Sequence, residues 1–230
     1  MKRLLALFDQ LIAPKGLKCF CCEERSEGES LCTDCRKALH AMRLPPWEAV
    51  NGDVYCAYRY DGVPRQLVLG LKYEGLADAA AVLAEGMNDL LPVMNLPADT
   101  VLTWVTMPER RRRQRAVDHG YELCKALSER SGLPMKKLLV RRGRARTQRG
   151  LNREKRLRNL AGAFRCDVPL NGPVLLVDDV MTTGSTAAVC TEALLMAGAG
   201  RVYVITATKA TLADMKFDIR KVDRYGLYTP

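Results

Sequence analysis

Apolar positions along the 230-residue chain form one helical stripe, one sparse stretch and then a series of short blocks. Leu4, Leu5, Leu7, Phe8, Leu11 and Ile12 share one face of a helix, which Pro14 ends. Residues 15 to about 45 carry few large apolar side chains and close at Pro45-Pro46, a stiff pair that suits a boundary. From there strand-like and helix-like blocks alternate. Residues 54–60 predict a strand, and Asp61 caps a helix with Pro64 in its first turn and Leu67 and Leu71 facing inward. Residues 77–91 predict a helix and 101–106 a strand. A helix over 121–130 is closed by Gly132 and Pro134.

Val174-Leu175-Leu176-Val177 is apolar without alternation, as expected of a strand buried on both faces. A helix over 185–196 and a strand over 201–207 follow. Strand, helix and strand make one βαβ unit, so the expected fold is α/β with a mostly parallel twisted sheet flanked by helices. Two parts are expected: 1–46, with the N-terminal helix and a cysteine-rich module, and 47–230, the α/β domain.

Composition leaves this picture intact. Hydrophobic residues are 48% and charged residues 27% of the chain, which excludes a mostly disordered protein. No apolar run approaches the roughly 20 residues needed to cross a bilayer. The first eight residues begin like a signal peptide, but Asp9 and Gln10 interrupt them and no small-residue cleavage site follows. A cytoplasmic protein without membrane insertion is expected, its nine cysteines reduced or holding metal.

Charge adds a partner class. The net charge is +10, and it is concentrated. Residues 110–115 hold five arginines, and 141–158 hold eight arginines and Lys155 against the single acid Glu154, so fourteen of the 36 basic groups lie in these two segments. Such a field is either a solvated basic face or a site for phosphate-rich partners, a small polyphosphate or a nucleic acid.

The most informative segment is Val174-Leu175-Leu176-Val177-Asp178-Asp179-Val180-Met181-Thr182-Thr183-Gly184-Ser185-Thr186. A buried parallel strand ends, two carboxylates follow at its carboxyl edge, and a small hydroxylic loop around one glycine enters a helix. Ligands sit at that edge of open α/β sheets, and a helix N-terminus offers N–H groups and a favourable dipole to an anion. Met181, Thr182, Thr183, Gly184, Ser185 and Thr186 therefore form a candidate phosphate loop. Ionised carboxylates only accept hydrogen bonds, so Asp178 and Asp179 suit the 2- and 3-hydroxyls of a ribose rather than its phosphate. The combination describes a bound ribose 5-phosphate. The competing reading, an ordinary helix-capping turn, does not account for two adjacent acids and four hydroxyls in one βαβ context.

Cys19-x-x-Cys22 and Cys32-x-x-Cys35 each present two thiolates, and together they suit a closed tetrahedral Zn2+ site without a catalytic position. Cys21 is adjacent, and the two-residue spacing favours Cys22. Buried free thiols or a redox pair are the alternatives. Cys56, Cys124, Cys166 and Cys190 read as small core hydrophobes.

These residues resemble something known. The segment over 174–186 looks like the PRPP-binding signature of type I phosphoribosyltransferases. The whole chain resembles the ComF/GntX family of late-competence-type proteins. That resemblance rests on the two cysteine pairs, Leu71-Lys72-Tyr73-Glu74-Gly75, the strand ending at Met107-Pro108, Arg144-Ala145-Arg146-Thr147 with Gly150-Leu151, Arg156 and Asn159, and the signature itself. It implies a phosphoribosyltransferase-type domain with a small N-terminal zinc-ribbon module, PRPP bound with Mg2+, and Asp178 and Asp179 as catalytic residues. It also implies pyrophosphate contacts in the turn after Pro108, with Arg110, Arg144 and Arg146 as candidates, and a role in DNA uptake or utilisation involving single-stranded DNA and a DNA-translocating partner. Lys72 is either a further diphosphate contact or a plain surface lysine. The alternative function is a non-catalytic competence factor that binds DNA or a partner and uses PRPP only as a regulatory ligand. One departure stands out: the family usually reads Arg-Gly-Phe-Asn-Gln where this chain has Arg115-Ala116-Val117-Asp118-His119. His119, one of two histidines, reads as a surface or helix-packing residue, with a catalytic role as the alternative.

Overall fold

The structure is a computed structural model, and it describes residues 18–26, 28–108, 112, 117–141 and 162–210. The N-terminal helix expected over 4–12 lies outside these residues. So do Arg110, Arg144, Arg146 and most of both arginine segments.

Seven strands are described: β1 (Val50–Asn51), β2 (Val54–Arg59), β3 (Val101–Trp104), β4 (Leu139–Arg141), β5 (Phe164–Cys166), β6 (Val174–Met181) and β7 (Val202–Lys209). The helices are α1 (Thr33–Ala41), α2 (Pro46–Ala49), α3 (Gly62–Leu69), α4 (Asp78–Asn88), α5 (Leu91–Met94), α6 (His119–Ser131) and α7 (Ser185–Met196), with a π-helical turn at Gly70–Glu74. The main sheet has the order β1-β2-β7-β6-β3, parallel throughout except for the short edge strand β1; β4 and β5 form a separate antiparallel ribbon. The expected mostly parallel α/β sheet is what forms.

Local chemistry explains the boundaries. Asp61 caps α3 by accepting the Gly62 N–H at 2.8 Å. Gly132 closes α6 in the left-handed conformation at φ 75°, which costs a glycine nothing. Gly86 sits where a β-carbon would collide with the Tyr58 hydroxyl, so α4 can press on a fully buried tyrosine.

β6 supplies both faces of the core by strand alternation. Leu175 and Val177 join the apolar cluster with Leu83, Leu123 and Leu127 of α4 and α6. Val174 and Leu176 join the opposite cluster with Val189, Cys190 and Leu194 of α7. The cysteine-rich segment is continuous with the first cluster: Leu31 and Leu39 are buried within it. Backbone bonds from Arg59 N–H to Met42 O (2.9 Å) and Leu44 N–H to Ala57 O (3.0 Å) fasten that segment to β2.

One strand differs from expectation. The apolar run stops at Val177, but β6 continues through Asp178-Asp179-Val180-Met181, because β7 still pairs with it there. Asp178 lies opposite Thr206 and Val180 opposite Thr208. The acids are thus inside a strand, not in the loop after it. Among the described residues no helix is long and apolar enough to cross a membrane.

Candidate functional site

A crevice opens where β3 stops. β3 pairs with β6 only as far as Trp104 opposite Val177, and the Val105 N–H reaches Val177 O at 3.1 Å; β6 then runs four residues further beside β7 alone. The chain turns through Thr182-Thr183-Gly184 into α7. Gly184 holds φ 74° just before the helix, a conformation that disfavours other residues. The Thr183 and Ser185 hydroxyls lie 2.8 Å apart, and the Ser185 N–H points to Thr183 Oγ1 at 3.4 Å. The loop thereby curls around the open first turn of α7, whose N–H groups have no partner inside the helix. An open pocket is lined here by Asp178, Met181, Thr182, Gly184, Ser185 and Thr186, together with Val180 and Ala187. Five of the six predicted loop residues face it; Thr183 instead braces Ser185.

The two acids part company. Because side chains alternate along a strand, Asp178 points to the α7 face with Val174 and Leu176, and Asp179 to the α4/α6 face with Leu175 and Val177. Asp178 lines the loop pocket. Burial first, and the neighbouring Asp179 charge second, push its carboxyl up to about 7, against the Asp179 N–H and Lys72, which pull it down.

Asp179 is only 5% exposed and does not face that pocket. Its Oδ2 meets Lys72 Nζ at 2.8 Å and His119 Nε2 at 3.1 Å. Burial pulls the Lys72 ammonium down, but the Asp179 carboxylate outweighs it and the net direction is up, so Lys72 stays charged. Tyr60, nearby, is pushed up mainly by burial. Lys72, expected at a diphosphate or on the surface, is committed to Asp179. His119, expected as a bland packing residue, is part of the same group.

Two local devices bring Lys72 and His119 in. Lys72 sits in the π-helical turn, which Gly75 closes with φ 75° and an N–H to Gly70 O. Single π turns recur at functional sites because they re-aim side chains at the expense of regular hydrogen bonds. Its signal in the sequence is Gly70 and Gly75 flanking Leu71-Lys72-Tyr73-Glu74. His119 starts α6, whose cap Asp118 accepts the Tyr121 N–H at 3.3 Å. Gly120 follows, and a β-carbon there would lie 2.9 Å from Val105 O. Its absence lets the helix start press on the end of β3 and reach Asp179.

Of the arginines proposed from sequence, none of Arg110, Arg144 and Arg146 lies among the described residues. Arg141 does: it ends β4, with its guanidinium 5.1 Å over the Phe164 ring.

The cysteine cluster is a second site. The Sγ atoms of Cys19, Cys22, Cys32 and Cys35 all lie within 4.8 Å of one another, so the four can hold a metal ion. The N–H groups of Cys21 and Cys35 point at the sulfurs of Cys19 and Cys32, both at 3.5 Å, a pattern that favours thiolates. Burial pushes the Cys19 thiol up, but backbone N–H groups of Cys22, Cys32 and Cys21 prevail and bring it down to about 6. Cys21 stands outside the cluster, its thiol pushed up to about 12 by burial and then by its cysteine neighbours. The spacing argument for Cys22 over Cys21 agrees with this geometry. Cys56, Cys124 and Cys190 are buried in the core and Cys166 is half-buried.

No protein-family model matches the chain. Among solved structures it is similar to adenine phosphoribosyltransferase from Leishmania tarentolae, with 12% identity, coverage of 72% of this chain and 94% of that one, and a TM-score of 0.39. It is also similar to orotate phosphoribosyltransferase from Aeropyrum pernix, with 20% identity, coverage of 66% and 78%, and a TM-score of 0.33. Among curated proteins it is 31% identical over 206 residues to the DNA utilization protein YhgH of Salmonella typhimurium, covering 82% of this chain and 88% of the relative. The corresponding protein of Escherichia coli K12 is 30% identical over the same length and coverage. At that identity over most of both chains, this chain belongs to the ComF/GntX-type family that includes the DNA utilization protein YhgH.

Proposed function

We propose that this chain binds PRPP together with Mg2+ in a phosphoribosyltransferase-type site and acts in DNA uptake or utilisation in the cytoplasm. The observation that carries the reading is that the Thr182–Thr186 loop, the open first turn of α7 and the Asp178 carboxylate line one pocket. The loop and helix dipole suit the 5-phosphate, and an acceptor-only carboxylate beside them suits a ribose hydroxyl. Mg2+, held chiefly by the diphosphate and water, would neutralise the leaving pyrophosphate. If the ribosyl group is transferred, the bond from C1 to the diphosphate oxygen breaks as an acceptor bonds to C1. The negative side chains of the acidic pair then favour the positive charge that develops on the ring.

The test is thermal: PRPP with Mg2+ raises the melting temperature, and Asp178→Asn combined with Asp179→Asn abolishes the rise. An unchanged shift in the double variant overturns the site.

The relatives' name, DNA utilization protein, supports a link to DNA. The arginine segments lack interleaved aromatic residues, so contacts to single-stranded DNA would be to phosphates and strongly salt-dependent. Measuring single-stranded DNA binding with and without PRPP and Mg2+ across salt decides the relation. Mutual exclusion places both ligands on the arginine segments, and independent binding separates them. The four-cysteine cluster is read as a structural zinc site, since four thiolates leave no open position.

A further inference from the structure

We propose that Lys72 and His119 are positioning residues that clamp Asp179 on the face of β6 away from the loop pocket and thereby hold the acidic pair in place. This rests on the PRPP reading of the loop. Asp178 lines the loop pocket. Asp179 is held from behind by both contacts, which fixes the end of the strand.

A carboxylate as buried as Asp179 stays ionised only if cations meet it. The Lys72 ammonium does, and His119 Nε2 lies against the same oxygen from a separate element. Their own positions are set by backbone: the π turn and Gly75 for Lys72, and the close approach of Gly120 to Val105 for His119. The clamp reaches the ligand side through one peptide. The Asp179 N–H donates to Asp178 Oδ1 at 2.9 Å, and Asp179 O accepts the Thr208 hydroxyl at 2.9 Å. Holding the Asp179 side chain therefore also fixes the N–H that aims the Asp178 carboxylate into the pocket. Tyr60, half-buried at the end of β2, lies near enough to the ammonium and to Asp179 to feel both charges.

The full chain is titrated with PRPP and Mg2+ by calorimetry. Asp178→Asn is expected to abolish binding. His119→Ala and Asp179→Asn are each expected to weaken it about tenfold or more and, combined, to weaken it no further than Asp179→Asn alone, because that change already removes the His119 contact along with the Lys72 one. His119→Gln, which keeps an N–H donor but no charge, restores affinity to within about threefold of the original. Full additivity of the two single changes, or no rescue by glutamine, overturns the proposal.

A second readout is independent of PRPP. The chain has two histidines, and His40 is exposed and serves as reference. In nitrogen NMR the His119 Nε2 resonance is expected to move in Asp179→Asn and to hold in Asp178→Asn. If it holds in both, the clamp is refuted. If the unaltered chain fails to bind PRPP, the PRPP reading falls while the NMR result still decides the clamp.

Discussion

The Arg36 guanidinium lies 3.0 Å from the Glu85 carboxylate, joining the residue next to Cys35 to helix α4 of the sheet domain. The other Glu85 oxygen takes Arg130 of α6 at 3.1 Å, and Arg36 also reaches Glu29 at 3.2 Å. One carboxylate thus ties the cysteine segment to two helices. Isolated surface pairs contribute about 0–1 kcal/mol, and a partly buried network contributes somewhat more. Glu85→Ala is expected to cost about 1–2 kcal/mol and to lower the melting temperature by about 2–8 °C. Arg36→Ala, tested in the Glu85→Ala background, should cost much less than alone. Equal costs in both backgrounds would remove the network from the account.

Metal analysis of purified protein is expected to find one zinc per chain. Cys22→Ser should lower that ratio and Cys21→Ser should not, since only Cys22 belongs to the four-sulfur cluster. Chelation should raise hydrogen exchange first at the Cys19 and Phe20 amides, which now bond Glu24 O and Ser30 O. Protein without bound zinc refutes the assignment.

Gly120→Ala places a methyl group 2.9 Å from a backbone oxygen and 3.2 Å from the Trp104 ring, so α6 must move. A cost of about 1–3 kcal/mol is expected, along with weaker PRPP binding as His119 leaves Asp179. Gly200→Ala is the control: nothing lies within 4 Å of its β-carbon. Unchanged binding in Gly120→Ala would separate the helix start from the site.

The sheet and the loop were legible in the sequence because both depend on local chemistry. The run of four apolar residues before Asp178 could only be a buried strand, and helix α7 falls on the predicted residues 185–196 because Gly184 fixes its start. The split of the acidic pair was less legible. Adjacency in sequence does not announce that pairing with β7 keeps residues 178–181 in a strand and sends neighbouring side chains to opposite faces. His119 was missed because its partner lies 60 residues away and the fit depends on an absent β-carbon at Gly120. Lys72 was legible as a diphosphate or surface candidate but its ion pair with Asp179 was not, since nothing local announces a π turn.

Asp178 sets opposite pH trends on stability and on binding. Its folded carboxyl titrates near 7, raised from an ordinary 3.8. Between these values the folded chain holds a proton that the unfolded chain has released, so this group's stabilisation is present below about pH 4 and lost as pH rises to about 7. Asp178→Asn removes that slope, and at pH 8 its denaturation midpoint is expected to lie above that of the unaltered chain. Ligand binding runs the other way, because only the ionised carboxylate is a pure acceptor for a sugar hydroxyl. PRPP affinity should therefore rise as pH passes through about 7 in the unaltered chain. The phosphates of the ligand titrate near pH 6 and add their own trend to binding, so the stability curves of the two proteins are the cleaner comparison. The decisive quantity is the difference between the two curves: if Asp178→Asn keeps the same stability slope from pH 4 to 7, the buried acid is not the group that titrates there.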